Sequence, residues 1–445
     1  MRTRVIPNTR VLSTSKQPLS IAITLIEVKV KLHCLGGFRE VGRNAIFLES
    51  KDKNVMFDYG AKVESGESPL KPKPKVDALF ISHGHLDHIG NSAALLRDTH
   101  CKVFGTSPTS DYADLLLHDS LKVARLKGFP VRYSPGNILQ LKKVFQKVNY
   151  GDEIKLSGKT KVDVWDAGHI PGSSIYTLNT EGRKIMYTGD FKLGSQRVIA
   201  GARYEAKDVD TVIMETTYSS RDQPDRAQEE KRLYESIRET LESGGTALLP
   251  IFAIRGPEIL MILDKFGANW PIYLDGMAKA ATNIAMSHPD FVKDKDALHK
   301  AVENAIPLYE NEERNNALRE PCVILTTGAA MEGGPIVHYM KTLYPRENCK
   351  IIFTGYQIPK TAGRYLLDSG NYVLGAINFH VKMKIESFSF SAHADRSELL
   401  KFVQKIRPEK VVCVHGDYTE KFATEIKSRL GIDAIAPKNG ETVKI

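Results

Sequence analysis

The sequence predicts an α/β protein of two lobes. Three observations lead there. The chain has 445 residues, and single hydrophobic cores stop growing near ~250–300 residues. Short β-rich runs broken by glycines fill its first part and return in its last part. Between them, longer amphipathic helices alternate with apolar strands, the pattern of a wound α/β lobe.

Taken in order, strand-like runs occupy 30–35, ending at Gly36-Gly37, then 45–48, and 55–57, which ends at Asp58-Tyr59-Gly60. A run over 77–81 enters a histidine-rich turn, and further runs lie at 162–165, 174–178 and 185–187. Apolar residues at helical spacing appear over 89–96 and 115–124. The stretch 226–241 places Leu233, Ile237 and Leu241 on one stripe among charges, predicting an amphipathic helix. An apolar strand is predicted over 246–254, and two strand-then-glycine units follow at 322–327 and 350–354. After Phe379 strand runs resume, with 411–414 ending at His415. The expected organisation is an extension over 1–29, a first core part over 30–214, an inserted lobe over 215–375, and the rest of the core over 376–445. Residues 27–30 read as an extended lead-in to the first strand.

Composition excludes several classes. An apolar fraction of 42% and a charged fraction of 26% are ordinary for a globular chain, which rules out a disordered, collagenous or disulfide-scaffold protein. No stretch approaches the ~18 apolar residues of a membrane helix. The net charge of +9 suits a polyanionic partner without identifying one. Cys34, Cys101, Cys322, Cys349 and Cys413 are scattered singly, which disfavours a thiolate zinc site. Their odd number suits a reducing compartment, and a cytoplasmic location is expected. The apolar run 21–26 is too short for a secretory h-region and lacks a small-residue cleavage site.

The strongest chemical signal is Ser82-His83-Gly84-His85-Leu86-Asp87-His88, directly after a predicted buried strand. Four potential ligands, His83, His85, Asp87 and His88, cannot all face one way on a helix or strand, but a tight turn can splay them around two centres. Imidazole and carboxylate donors suit Zn²⁺. Further candidates stand where strands open into loops: His169 after 162–165, Asp190 after 185–187, and His415 after 411–414. Basic and aromatic residues near glycine turns, namely Arg364, Lys360, Tyr356 and Arg255, are candidates to line a cleft between the lobes for a polyanionic strand.

The H-x-H-x-D-H turn, with Asp58, His169 and Asp190 at strand ends, resembles the metallo-β-lactamase fold. Met214-Glu215-Thr216-Thr217-Tyr218, Ser391-Ala392-His393-Ala394-Asp395 and Val414-His415-Gly416 resemble motifs A, B and C of the β-CASP nucleases within it. The resemblance covers about residue 30 to the C-terminus and is nearest to the compact archaeal enzymes related to RNase J and to the cleavage-and-polyadenylation endonuclease. It implies an αββα sandwich with an inserted α/β β-CASP domain, and two zinc ions per chain. One ion would be held by His83, His85 and His169, the other by Asp87, His88 and His415, with Asp190 bridging. It also implies a catalytic group of His393 as general acid, Glu215 orienting it, and Asp58 orienting a ligand histidine. A homodimer is implied as well. His33, His100, His118, His288, His299, His338 and His380 fall outside these motifs and are expected to be packing or surface residues.

The expected activity is zinc-dependent hydrolysis of RNA phosphodiesters. The leaving sugar oxygen needs a proton, and an imidazole beside a carboxylate suits that task. His415 favours RNA over DNA, because the DNA-acting branch of the family usually lacks it. RNase J enzymes hold a 5′-monophosphate with a His-x-Ser-x-His-Ala pattern; here Ser391 matches the serine and Ser389 replaces the first histidine. A 5′-to-3′ exoribonuclease with possible endonuclease activity is expected. Its rivals are a cleavage-factor-like endoribonuclease, a small-molecule hydrolase of thioesters or lactones, and a catalytically inert RNA-binding subunit.

Overall fold

The computed structural model describes Met1, residues 30–267 and residues 269–445. The expected lead-in at 27–29 lies outside the described residues.

The first lobe is two seven-stranded sheets packed face to face. One runs Thr442–Lys444, Lys31–Gly36, Ala45–Glu49, Val55–Phe57, Ala78–Phe80, Lys102–Gly105, Phe145–Lys147. The other runs Asp433–Ile435, Lys410–Val414, Thr211–Glu215, Arg183–Tyr187, Ser174–Thr180, Thr160–Asp166, Glu153–Lys155. The first strand pairs antiparallel with the last, Lys31 opposite Lys444, so both ends of the chain build one sheet.

Alternation along each strand explains the layering. Leu32, Ile46 and Phe57 from one sheet meet Val162, Tyr176, Tyr187 and Val412 from the other in a buried middle layer. Their neighbours Phe47, Met56 and Val103 face outward, onto Leu95, Leu117 and Ile138 of three helices, Ser92–Asp98, Ser107–Lys127 and Pro135–Val144. On the far side Met186, Val212 and Cys413 pack on Leu399, Phe402 and Ile426, from Arg396–Ile406 and Thr419–Leu430. The result is the expected αββα sandwich.

A third sheet forms the second lobe, in the order Ala305–Leu308, Ile272–Asp275, Cys322–Thr327, Thr246–Ile251, Lys350–Phe353, Lys384–Ser387. Every pairing is parallel. Such sheets need helices on both faces, and strand 246–251 shows it: Ala247 and Leu249 face Leu233, Ile237 and Leu263, whereas Leu248 faces Tyr339, Met340 and Leu366. The helix Arg226–Glu242 starts where the Asp225 carboxylate accepts from Gln228 N. Its stripe of Leu233, Ile237 and Leu241 is buried as the spacing predicts.

Two boundaries differ from expectation. The strand over 246–254 stops at Ile251, and Ala253–Arg255 forms a 3₁₀ turn instead. The return to the core, expected at residue 376, comes later, because Lys384–Ser387 still pairs with Lys350–Phe353 of the third sheet. All five cysteines are free and buried. Among the described residues no helix is long and apolar enough to cross a membrane.

Candidate metal centre and active site

The site forms where strands of both core sheets end on one rim. Ala78–Phe80 leads into the 83–88 turn, Thr160–Asp166 into His169, and Arg183–Tyr187 into Asp190. Thr211–Glu215 ends on Glu215, and Lys410–Val414 leads into His415. Two glycines make the turns possible. A Cβ on Gly84 would sit 2.5 Å from that of Tyr112, and one on Gly189 2.6 Å from that of Ser82. Asp58 and His415 both hold φ in the left-handed region, at 56° and 47°, a strain non-glycine residues keep only where surroundings enforce it.

The structure brings the seven sequence-predicted ligands into two groups that share Asp190: His83, His85, His169 and Asp190, and Asp87, His88, Asp190 and His415. In the first, His85 Nδ1 lies 3.1 Å from both His83 Nε2 and His169 Nε2. Asp190 Oδ2 is 3.5 Å from the former nitrogen and 3.8 Å from the latter. A tetrahedron with zinc–nitrogen bonds of ~2.0–2.1 Å has edges of about 3.3–3.4 Å, so this spacing fits a zinc ion. In the second group His88 Nε2 lies 3.3 Å from Asp190 Oδ2, and His415 Nε2 3.2 Å from Asp87 Oδ2. Asp190 Oδ1 is buried and accepts no hydrogen bond, although His415 Nδ1 is 3.1 Å away. An orphaned anionic oxygen among imidazoles fits a cation, and these residues fit a resident metal.

Hydrogen bonds from behind set which ring nitrogen is free. His169 Nδ1 donates to the Ala392 carbonyl at 2.9 Å, leaving the Nε2 lone pair for the centre. His88 Nδ1 donates to Asp58 Oδ2 at 2.7 Å. Asp58 also accepts from Ser82 N, Ser82 Oγ and Tyr187 OH, each at 2.7 Å. Asp58, expected in the catalytic group, is fully buried with its oxygens engaged this way. It positions His88.

Electrostatics divide the two groups. Burial, helped by His88, pushes His83 well below the usual imidazole range. Burial lowers His85 to about 4, and burial with His393 lowers His169 strongly. These rings are neutral, the form that binds metal. At His88 and His415 burial opposes the charge but is outweighed. Asp190 and Asp58 raise His88 well above its ordinary value, and Asp190 and Asp87 lift His415 to about 10. Asp190 is held well below the carboxylate range, since His415 and His88 overcome its burial.

Beside the ligands, His393 Nδ1 donates to Glu215, with 3.1 Å to Oε1 and 3.0 Å to Oε2. Glu215 is buried and also accepts from Phe191 N at 2.9 Å and Thr217 Oγ1 at 2.5 Å. Burial disfavours the His393 imidazolium, but Glu215 and Asp190 together raise its pKa above the usual value. Ser391 Oγ accepts from His393 N at 3.1 Å, bracing the loop.

The RNA-contact candidates behave differently. Arg364 is exposed and bonded to Asp368, and Lys360 is exposed. Arg255 is half-buried. Its guanidinium donates to Gln196 Oε1 and to the Phe390 carbonyl, both at 2.9 Å. Gln196 Nε2 in turn donates to the carbonyls of Gly168 and His169, at 2.8 and 2.9 Å. Arg255 is therefore a strut between the loops carrying His169 and His393.

Sequence reasoning missed this strut. It also missed Asn44, whose Nδ2 lies 3.0 Å from His88 Nε2, and Thr217, which touches both Glu215 and His415 Nδ1. Thr217 lay inside a motif already singled out; Asn44 and Gln196 carried no local signal. None of the seven histidines expected to be bystanders joins a ligand group among the described residues.

Comparisons agree with this geometry. The profile of the metallo-beta-lactamase superfamily matches residues 39–236, that of the Beta-Casp domain 257–366, and that of the Zn-dependent metallo-hydrolase RNA specificity domain 378–437. The chain is 34% identical over 424 residues to RNase aCSPSF2 of Saccharolobus solfataricus, covering 93% of this chain and 85% of that protein. It is 33% identical to the probable RNase MJ4 of Methanocaldococcus jannaschii, covering 92% and 99%. Against the transcription termination factor FttA of Pyrococcus horikoshii it is 32% identical, covering 94% and 71%. A crystal structure of a protein of unknown function from Enterococcus faecalis V583 shares the fold, with a TM-score of 0.59 at 16% identity over 94% of this chain and 100% of that one. With the ligand rim, the His393–Glu215 pair and these matches in hand, the chain belongs to the β-CASP ribonucleases of the metallo-β-lactamase superfamily.

Proposed function

We propose that this protein is a two-zinc ribonuclease acting on single-stranded RNA, chiefly as a 5′-to-3′ exonuclease. The observation that carries the reading is the His393–Glu215 pair set directly against a complete set of seven ligands. A small-molecule hydrolase would need the ligands but not that pair. His83, His85, His169 and Asp190 would hold one ion, and Asp87, His88, His415 and Asp190 the other. Bound there, the ions supply charge neutralisation for the phosphate and an activated water.

The chain's own residues supply the remainder. Asp58 and the Ala392 carbonyl fix the tautomers of His88 and His169. Glu215 occupies His393 Nδ1, so Nε2 is the atom that delivers a proton to the leaving ribose oxygen. Thr217 bridges Glu215 and His415, so the acid and the ligand set share one support. Ser391 matches the serine of the RNase J pattern that receives a terminal phosphate, whereas Ser389, in place of that pattern's first histidine, bonds its hydroxyl to Gln223.

The test is a time course on two internally labelled RNAs of one sequence, one with a 5′-monophosphate and one with a 5′-triphosphate, with His85→Ala as control. Early mononucleotides from the monophosphate substrate alone are expected. Discrete internal fragments from both would replace the exonuclease reading with the endonuclease one. No metal-dependent cleavage of either would overturn the ribonuclease reading in favour of a small-molecule hydrolase.

A further inference from the structure

Away from the ligand rim, a cavity of about 540 Å³ opens at the seam between the lobes. None of the metal-ligating side chains lines it. Its aromatic walls are Tyr150, Trp165 and Tyr204 from the core and Phe291 from the inserted lobe. Tyr150 and Phe291 meet edge to face, with ring centroids 5.1 Å apart, and Tyr204 is backed by Phe402 at 4.9 Å. The shape is preformed by the backbone. Arg203 N donates to the Asp166 carbonyl at 2.9 Å, and Lys293 N to the Val198 carbonyl at 2.8 Å, which ties the two lobes together at the cavity.

The polar groups are of both signs. Arg203 is exposed and makes no ion pair among the described residues, and Lys293 Nζ lies 2.8 Å from Ser195 Oγ. Asp166 stands at the end of its strand in the lining, and exposed Glu205 and Asp290 complete the acidic side. Small-ligand sites favour domain seams and volumes of ~300–1,000 Å³. A base has two π-faces to stack on aromatic rings and amino groups to donate to a carboxylate. A phosphate suits a free guanidinium fork. An apolar ligand would leave Arg203 and Asp166 unused, and a bare anion would leave the aromatic walls unused.

We propose that this cavity binds a nucleotide, its base among Tyr150, Trp165 and Phe291 and its phosphate at Arg203 and Lys293. The nucleotide is either free or one unit of a single-stranded RNA that continues beyond the cleft. The second source rests on the ribonuclease reading; the cavity's own chemistry does not. Occupancy there bears on the catalytic rim through one loop. Tyr150 OH donates to the Ser173 carbonyl at 2.9 Å, Ser173 Oγ accepts from His169 N at 3.0 Å, and Asp166 Oδ1 accepts from Gly168 N at 2.8 Å.

The chain has two tryptophans, so in a Trp270→Phe background the emission of Trp165 reports on the cavity alone. Full-length protein would be titrated with GMP and with a phosphorothioate RNA decamer. Saturable quenching is expected, at least tenfold weaker in Arg203→Ala and in Phe291→Ala. Both positions are partly or fully exposed, and unchanged melting would show the variants folded. Quenching by GMP assigns the site to free nucleotides, and quenching by the decamer alone assigns it to the strand. No saturable quenching by either, or equal affinity in both variants, would overturn the proposal. Because the readout needs no cleavage, its failure is distinct from failure of the ribonuclease reading.

Discussion

Replacing His393 with alanine separates proton delivery from metal binding. Its Nδ1 is committed to Glu215, and the ring belongs to neither of the two groups formed by the seven ligands, although it clusters with Asp190 and Glu215 beside them. His393→Ala is therefore expected to lower kcat by about 10²–10⁴-fold, the range of a lost general acid, while zinc content by atomic absorption stays at the wild-type value. His85→Ala should do the reverse in order, losing zinc first and activity as a consequence. Equal metal loss in both variants would mean that His393 is a ligand. At this scale the sequence was most legible where residues cluster: four ligands sit within six positions, and the remaining three stand within three residues of a strand's end. It was least legible where one residue serves another from a distance. Asn44 and Gln196 reach their imidazole and carbonyl partners across the fold, and nothing in their neighbours' identity announces it.

At the scale of elements, the unexpected end of strand 246–251 has a purpose. Had the strand continued to 254, successive side chains would alternate across the sheet. The 3₁₀ turn Ala253–Arg255 instead swings Arg255 toward the core lobe, where it holds Gln196 and the Phe390 carbonyl. Arg255→Ala leaves two acceptors without their donor, an expected loss of about 2 kcal/mol in unfolding free energy. Arg255→Lys should recover little, since an ammonium lacks the fork that reaches both. Equilibrium unfolding in urea checks this; a wild-type midpoint in Arg255→Ala would refute the strut. A smaller effect belongs to Asp395, whose carboxylate accepts from Glu398 N and caps the helix behind motif B. Asp395→Ala should lower stability by about 1 kcal/mol, read as a small fall in the same midpoint. Helix 226–242 was legible because its stripe repeats every turn. The late return to the core was not, because Lys384–Ser387 is a short edge strand whose four residues suit either lobe, and only its pairing with Lys350–Phe353 decides.

At the scale of the whole molecule, the β-rich, α/β, β-rich order of the sequence carried the architecture, since glycine-broken strands and amphipathic helices differ in period. What periodicity cannot carry is which strands share a sheet, and the ligands depend on it. The turn 83–88 follows a strand of one core sheet, whereas His169, Asp190 and His415 follow strands of the other. Ions at this rim would therefore cross-link the two halves of the sandwich. Without them, Asp190 keeps a buried oxygen lacking a hydrogen bond, beside two more carboxylates, Asp87 and Glu215, and five ligand imidazoles at close quarters. A ligand that binds only the folded state stabilises it by about 4 kcal/mol at a thousandfold excess over its Kd. Chelation is accordingly expected to lower the melting temperature, and stoichiometric zinc to restore it. Calorimetry adds a sharper requirement. The third sheet has its own core and contributes none of the seven ligands, so any transition belonging to it should move less than that of the sandwich. A melting profile indifferent to chelator would mean that the rim is held by its hydrogen bonds alone, and the cross-linking role would fall.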